Sequence, residues 1–97
     1  MKRIQPVSIW TPKGIVSCNV IDIKSLYDDL ESELEVHYRL GYSVVDKEDI
    51  EEKDFQSVVE GNDYIKGKEY EALGTEGRDV NEDIKRVIIE KINLTLA

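Results

Sequence analysis

Ninety-seven residues make a single domain with room for a modest core, and no stretch approaches the ~18 consecutive apolar residues that a membrane span needs. A charged fraction of 35% beside 40% hydrophobic residues, with a net charge of −8, suits a polar globular chain. It argues against nucleic-acid binding, which relies on cations that displace phosphate counterions. The lone cysteine, Cys18, excludes an intramolecular disulfide.

The charge is unevenly spread. Residues 1–21 carry three basic residues and no acid, whereas residues 22–63 carry fourteen acids against four bases. The basic start Met1-Lys-Arg-Ile-Gln-Pro6 is followed by no apolar h-region, so no export signal is expected. The acidity itself serves solubility, or else forms a docking surface or a mimic of DNA phosphates.

In chain order, residues 1–13 read as an extended arm. Pro6 and Pro12 exclude helix, and Val7-Ser-Ile-Trp10 between them is strand-like. Pro12-Lys13-Gly14 is a turn signal, which makes the arm one half of a hairpin. Trp10, Ile9 and Val7 are the candidate interface residues: an aromatic in a Pro-bounded arm is core, or an anchor for a neighbouring subunit.

A second strand follows from Ile15 to about Lys24. Val16, Cys18 and Val20 share one parity, and Ile21 and Ile23 the other. Either a bulge near Val20-Ile21 or burial on both faces accounts for the change of phase. Ser25 to Ser32 reads as a connection. Glu33 to Val44 then alternates cleanly: Leu34, Val36, Leu40 and Val44 with Tyr38 and Tyr42 are even-numbered, and charged residues fill odd positions. Gly41 marks a bulge or bend.

Asp46 to Asp54 holds six acids and two lysines and reads as a solvated loop. Phe55 to Lys66 forms one bent strand, although Gly61-Asn62-Asp63 also suits a hairpin tip. Gly67 to Leu73 is a short helical turn. Gly74 to Arg78 is a loop.

The last element is a helix from Asp79. Val80, Ile84, Val87, Ile88 and Ile92 recur at helical spacing, with Asp79 as N-cap and Glu82 in a capping-box position. Burying such side chains contributes about 1.5–3 kcal/mol each, against a total stability of about 5–15 kcal/mol, so this helix requires a partner surface. The expected fold is α+β: an antiparallel meander of about four strands with one C-terminal helix packed on the sheet.

Few residues suggest chemistry. Asp79-x-Asn81-x-Asp83 with Glu90 overlays part of a calcium loop, but Ile84 stands where the loop requires Gly. His37 lies on a polar strand face, and Cys18 alternates with core positions. Glu31, Glu33 and Glu35 share an exposed face with nothing to separate their pKa values. Gly74 and Gly77 precede no Lys-Ser/Thr, so they make no phosphate loop. No catalytic, cofactor or metal site is expected, and an enzyme is not expected.

Gly61-Asn-Asp-Tyr-Ile65, Gly67-Lys-Glu-Tyr70-Glu-Ala-Leu73-Gly74 and the tail Ile92-Asn-Leu-Thr-Leu96 resemble the C-terminal half of small uncharacterised bacteriophage proteins. Those proteins have a strand, a Gly-x-x-Tyr-x-x-aromatic-Gly turn, and a helix closing on Leu-Gly/Asn-Leu-Thr. Their N-terminal half starts with a Pro-containing arm and a Trp, as Pro6 to Trp10 does. This chain differs in Leu73, where an aromatic is common, and in its longer acidic loop 46–54. The resemblance implies a phage origin and a place in the virion, in head or tail. It implies synthesis in the host cytoplasm and other phage structural proteins as partners in a homo- or hetero-oligomer; the acidic balance and the lack of a membrane-length apolar run add the expectation of no direct nucleic-acid or membrane contact. The basic first 21 residues would then meet the acidic middle of the next subunit in a ring or lattice. The alternative is an acidic DNA mimic that inhibits a host nucleic-acid-binding protein.

Overall fold

The computed structural model describes residues 1–97. Four strands form one antiparallel sheet in sequence order: β1 (Lys2–Thr11), β2 (Gly14–Asp28), β3 (Glu33–Tyr42) and β4 (Gln56–Lys66). Two helices follow, α1 (Gly67–Ala72) and α2 (Val80–Lys91). The α+β class and the meander match the alternation in the sequence. The expectation of one helix does not hold, because Gly67–Ala72 is helical too. Gly67 turns the chain out of β4 at φ +56°, and the Tyr70 hydroxyl donates to Asp28 Oδ1 at 2.7 Å, tying α1 to the end of β2. β2 is also longer than its pattern suggests. Residues 25–28 belong to the strand, where Leu26 pairs with Val36 and Asp28 with Leu34.

One sheet face carries the main core. Ile4, Ile21, Leu34, Val36, Leu40 and Ile65 meet Ile84, Val87, Ile88 and Ile89 of α2 in a single buried cluster. The even face of β3 is therefore the surface beneath the helix, as far as Leu40. The register with β4 then shifts between Leu40 and Gly41, and Tyr42 and Val44 run beyond the helix into water; Val44 is 91% exposed. Gly41 is required here, since a Cβ would meet the Phe55 ring at 2.7 Å and collide with the Gln56 carbonyl.

The helical stripe is rotated relative to the sequence reading. Val80, in the first turn, is half exposed, and Ile89 is buried in its place. Just past Ile89 the tail folds back. Asn93 adopts φ +60°, Leu94 N–H donates to the Ile89 carbonyl at 2.9 Å, and Asn93 N–H to that of Glu90 at 3.1 Å. This is a Schellman close with Asn in the left-handed position. It aims Thr95–Ala97 at β1, where Gln5 N–H donates to the Thr95 carbonyl and Ala97 N–H to that of Arg3. At the other end, Asp79 accepts from Glu82 N–H at 3.1 Å as the N-cap. The Glu82 side chain instead pairs with Lys2 at 2.6 Å.

Val20 and Ile21 are both buried, so burial on two faces explains the phase change. The irregularities of β2 lie opposite Arg3–Val7 and at Ile23–Ser25. The second face is crossed by the segment 43–55. Arg3 donates to the carbonyls of Val45 and Lys47 at 2.8 and 2.6 Å, and Asn19 bonds Ser43. Further on, Arg39 grips Glu52 through two 2.8 Å bonds, pairs with Asp22, and stacks on Phe55 at 5.0 Å. The acidic run is thus a strap with cationic fastenings.

Candidate interaction surface

β2 pairs with β3 only from Val20 to Asp28, whereas β1 pairs with β2 out to Thr11 and Gly14. Residues 7–18 therefore form a two-stranded ribbon that projects past the paired part of β3. The extended arm of the sequence reading is half of this ribbon.

Val7, Ile9 and Trp10 sit along it. Val7 faces Cys18 and Ile9 faces Val16 in the register, and both are half-buried against the core margin. Trp10 faces Ile15, and the two side chains are 81% and 56% exposed. An apolar pair at the end of a ribbon, away from the helix-covered face, is unusual for a chain this polar. A shallow cleft continues from Ile15 and Val16 to Tyr42 and Val58.

The ribbon lies in the acid-free stretch of the chain. Its cations are mostly engaged within the molecule: Lys2 by Glu82 and Arg3 by the strap carbonyls. Lys13 is left at the tip. What the ribbon offers a partner is apolar surface and backbone.

The backbone is explicit about this. Thr11 and Gly14 flank the two-residue turn Pro12-Lys13, so they form a hydrogen-bonded pair, and alternation turns Ile9 and Val7 inward as well. The N–H and C=O groups of Ser8 and Trp10 consequently point away from β2, along the free edge. Pro6 lies in the irregular stretch between Arg3 and Val7 and Pro12 lies in the turn, so neither missing N–H costs β1 a paired bond to β2. The tail covers the edge only at Arg3 and Gln5.

The residues considered for chemistry have other employment. His37 Nε2 lies 2.9 Å from Glu35 and its ring meets Tyr27 edge-on at 5.1 Å. Asn62 donates to the same Glu35 carboxylate, and these bonds hold it below the ordinary carboxylate range. Cys18 is fully enclosed, and burial pushes its thiol pKa up. Asp79, Asn81, Asp83 and Glu90 are spread along a continuous helix with Ile84 buried among them.

Asp83 was not distinguishable in the sequence from the other acids of α2. It is 4% exposed and accepts from Gly74 N–H at 2.9 Å and from Arg78 Nε at 3.0 Å. The Gly74 N–H, then Arg78, hold its pKa down. It fastens the 74–78 loop to α2.

No family model, curated protein or solved structure matches the chain.

Proposed function

We propose that this chain is a non-enzymatic structural or assembly protein of a bacteriophage particle, in head or tail, acting through protein–protein contacts. The observation that carries the reading is the projecting ribbon with Trp10 81% exposed opposite Ile15. An isolated two-stranded ribbon is marginal in water, and a tryptophan at its end loses contact with solvent only against another molecule. The phage assignment rests on the resemblance of residues 61–96 and of Pro6 to Trp10. The conspicuous polar groups fit this reading, since Arg39, Asp83 and Glu35 fasten strap, loop and strands.

The DNA-mimic alternative has fewer free acids to draw on than composition suggests. Asp22 and Glu52 are paired with Arg39, Glu60 with Lys24, and Glu33 with Lys66. Mass spectrometry of purified particles separates the two readings. Stoichiometric presence in the particle is expected. Absence from particles, with capture of a host nucleic-acid-binding protein, would overturn the assembly role.

A further inference from the structure

We infer that two copies of this chain join edge to edge through β1, with Ser8 of one copy opposite Trp10 of the other and a two-fold axis at Ile9, so that two sheets merge into one. The inference deepens the assembly reading above and rests on it.

Three observations converge on this occupant. The first is the donor pattern. Between Pro6 and Pro12 the free edge presents two N–H and two C=O groups, those of Ser8 and Trp10. Pairing Ser8 with Trp10 in both directions is the register that gives each of the four a partner inside this window, as a hydrogen-bonded pair requires. In it Pro6 falls opposite Pro12, so the positions without an N–H face one another.

The second is side-chain fit. Residues 8 and 10 point to the same side of the strand, so each indole lies beside the small Ser8 of the other copy and its own Ile15. The third is charge. Residues 1–21 carry +3 of a total of −8, leaving −11 on the remainder. The ribbon is where two such molecules approach without opposing carboxylates. The two Lys13 side chains lie at opposite ends of the joint.

The same edge is closed to further growth. The tail pairs with Arg3 and Gln5, and Pro6 ends the donor row, which favours a closed pair over a fibril.

Ile9 is the residue that faces its own copy, in a non-hydrogen-bonded pair whose Cα separation of about 4.5 Å is within disulfide range. The test uses the full chain with Cys18→Ala. Under mild oxidation Ile9→Cys is expected to form a covalent dimer. Val7→Cys and Thr11→Cys alone stay monomeric on a denaturing gel, and mixed together they cross-link. Ser8→Pro removes one outward donor and is expected to shift sedimentation from dimer to monomer with the circular dichroism spectrum retained. A dimer that Trp10→Ser abolishes, with no cross-link at Ile9, would overturn this register and leave the association reading standing. A monomer at every concentration would overturn the edge-to-edge pairing, whereas the assembly role falls only if the chain is absent from purified particles.

Discussion

Trp10 and Ile15 face each other across the β1–β2 ribbon as direct partners, outside the cluster that α2 covers. A cross-strand apolar pair adds only about 0.2–1 kcal/mol to such a ribbon. Trp10→Ser and Ile15→Thr should therefore change the midpoint of unfolding of the monomer by no more than about 1 kcal/mol, measured by urea titration at low concentration. A loss of several times that amount would mean that the pair belongs to the folding core.

Asp83 predicts the opposite behaviour. Its carboxylate is the common acceptor for Gly74 N–H and Arg78, with Arg86 at 3.6 Å. Asp83→Ala leaves a backbone donor and a guanidinium without their acceptor, so the melting temperature should fall by at least about 5 °C. Arg78→Ala in the same background should cost less than it does alone, because the pair acts as a unit. Strict additivity in that cycle would contradict the arrangement.

The pH dependence follows from groups held in one protonation state. Asp83, Asp29, Glu35, Glu52 and Glu82 all have pKa values lowered by hydrogen bonds: from Gly74 N–H, from Glu31 N–H, and from Asn62, Arg39 and Lys2 respectively. In the unfolded chain these carboxyls take up protons first. Their stabilisation is complete above the ordinary carboxylate values of about 4 and is lost as pH falls through the lowered ones. Urea midpoints should be flat near neutrality and decline below about pH 4, and Asp83→Asn should flatten part of that decline.

Tyr70 gives the alkaline counterpart. Its hydroxyl donates to Asp28, which pushes its pKa up to about 12. The neutral phenol is the folded form, so its contribution is intact below pH about 10 and disappears as pH rises through the raised value. Burial raises Tyr38 as well, so ultraviolet titration should show late ionisation whose amplitude falls by one tyrosine in Tyr70→Phe. If the variant instead loses ordinary amplitude near pH about 10 and keeps the late phase undiminished, the Asp28 bond is contradicted.

Leu30 offers a stabilising change. It sits at φ +63° in the β2–β3 turn with its side chain 83% exposed, while Asp28 and Asp29 accept the N–H groups around it. A left-handed non-glycine residue costs about 1–2 kcal/mol, part of which glycine returns as chain entropy. Leu30→Gly should raise stability by up to about 1 kcal/mol, measured by denaturant midpoint.

Much of this fold is legible because period two and period 3.6 leave distinct marks. Leu34, Val36 and Leu40 announce β3, and Ile84, Val87 and Ile88 announce α2. What the pattern conceals is where covering elements stop. Tyr42 and Val44 continue the alternation past the end of the helix, and Ile89 joins the buried cluster where Asn93 turns the tail back toward β1. Asp83 looks like any first-turn acid until Arg78 and Gly74 are placed beside it. The ribbon was half visible: Pro6 and Pro12 mark an extended arm, but Trp10 there suits a core as well as an anchor, and its 81% exposure depends on β3 ending at Tyr42.

We propose that this ribbon joins copies of the chain. Sedimentation velocity of the unaltered chain and of Trp10→Ser, across a concentration series, tests it most directly. A concentration-dependent dimer that Trp10→Ser converts to a folded monomer is the predicted result. A wild-type chain that sediments as a monomer throughout, or a dimer indifferent to Trp10→Ser, would contradict it.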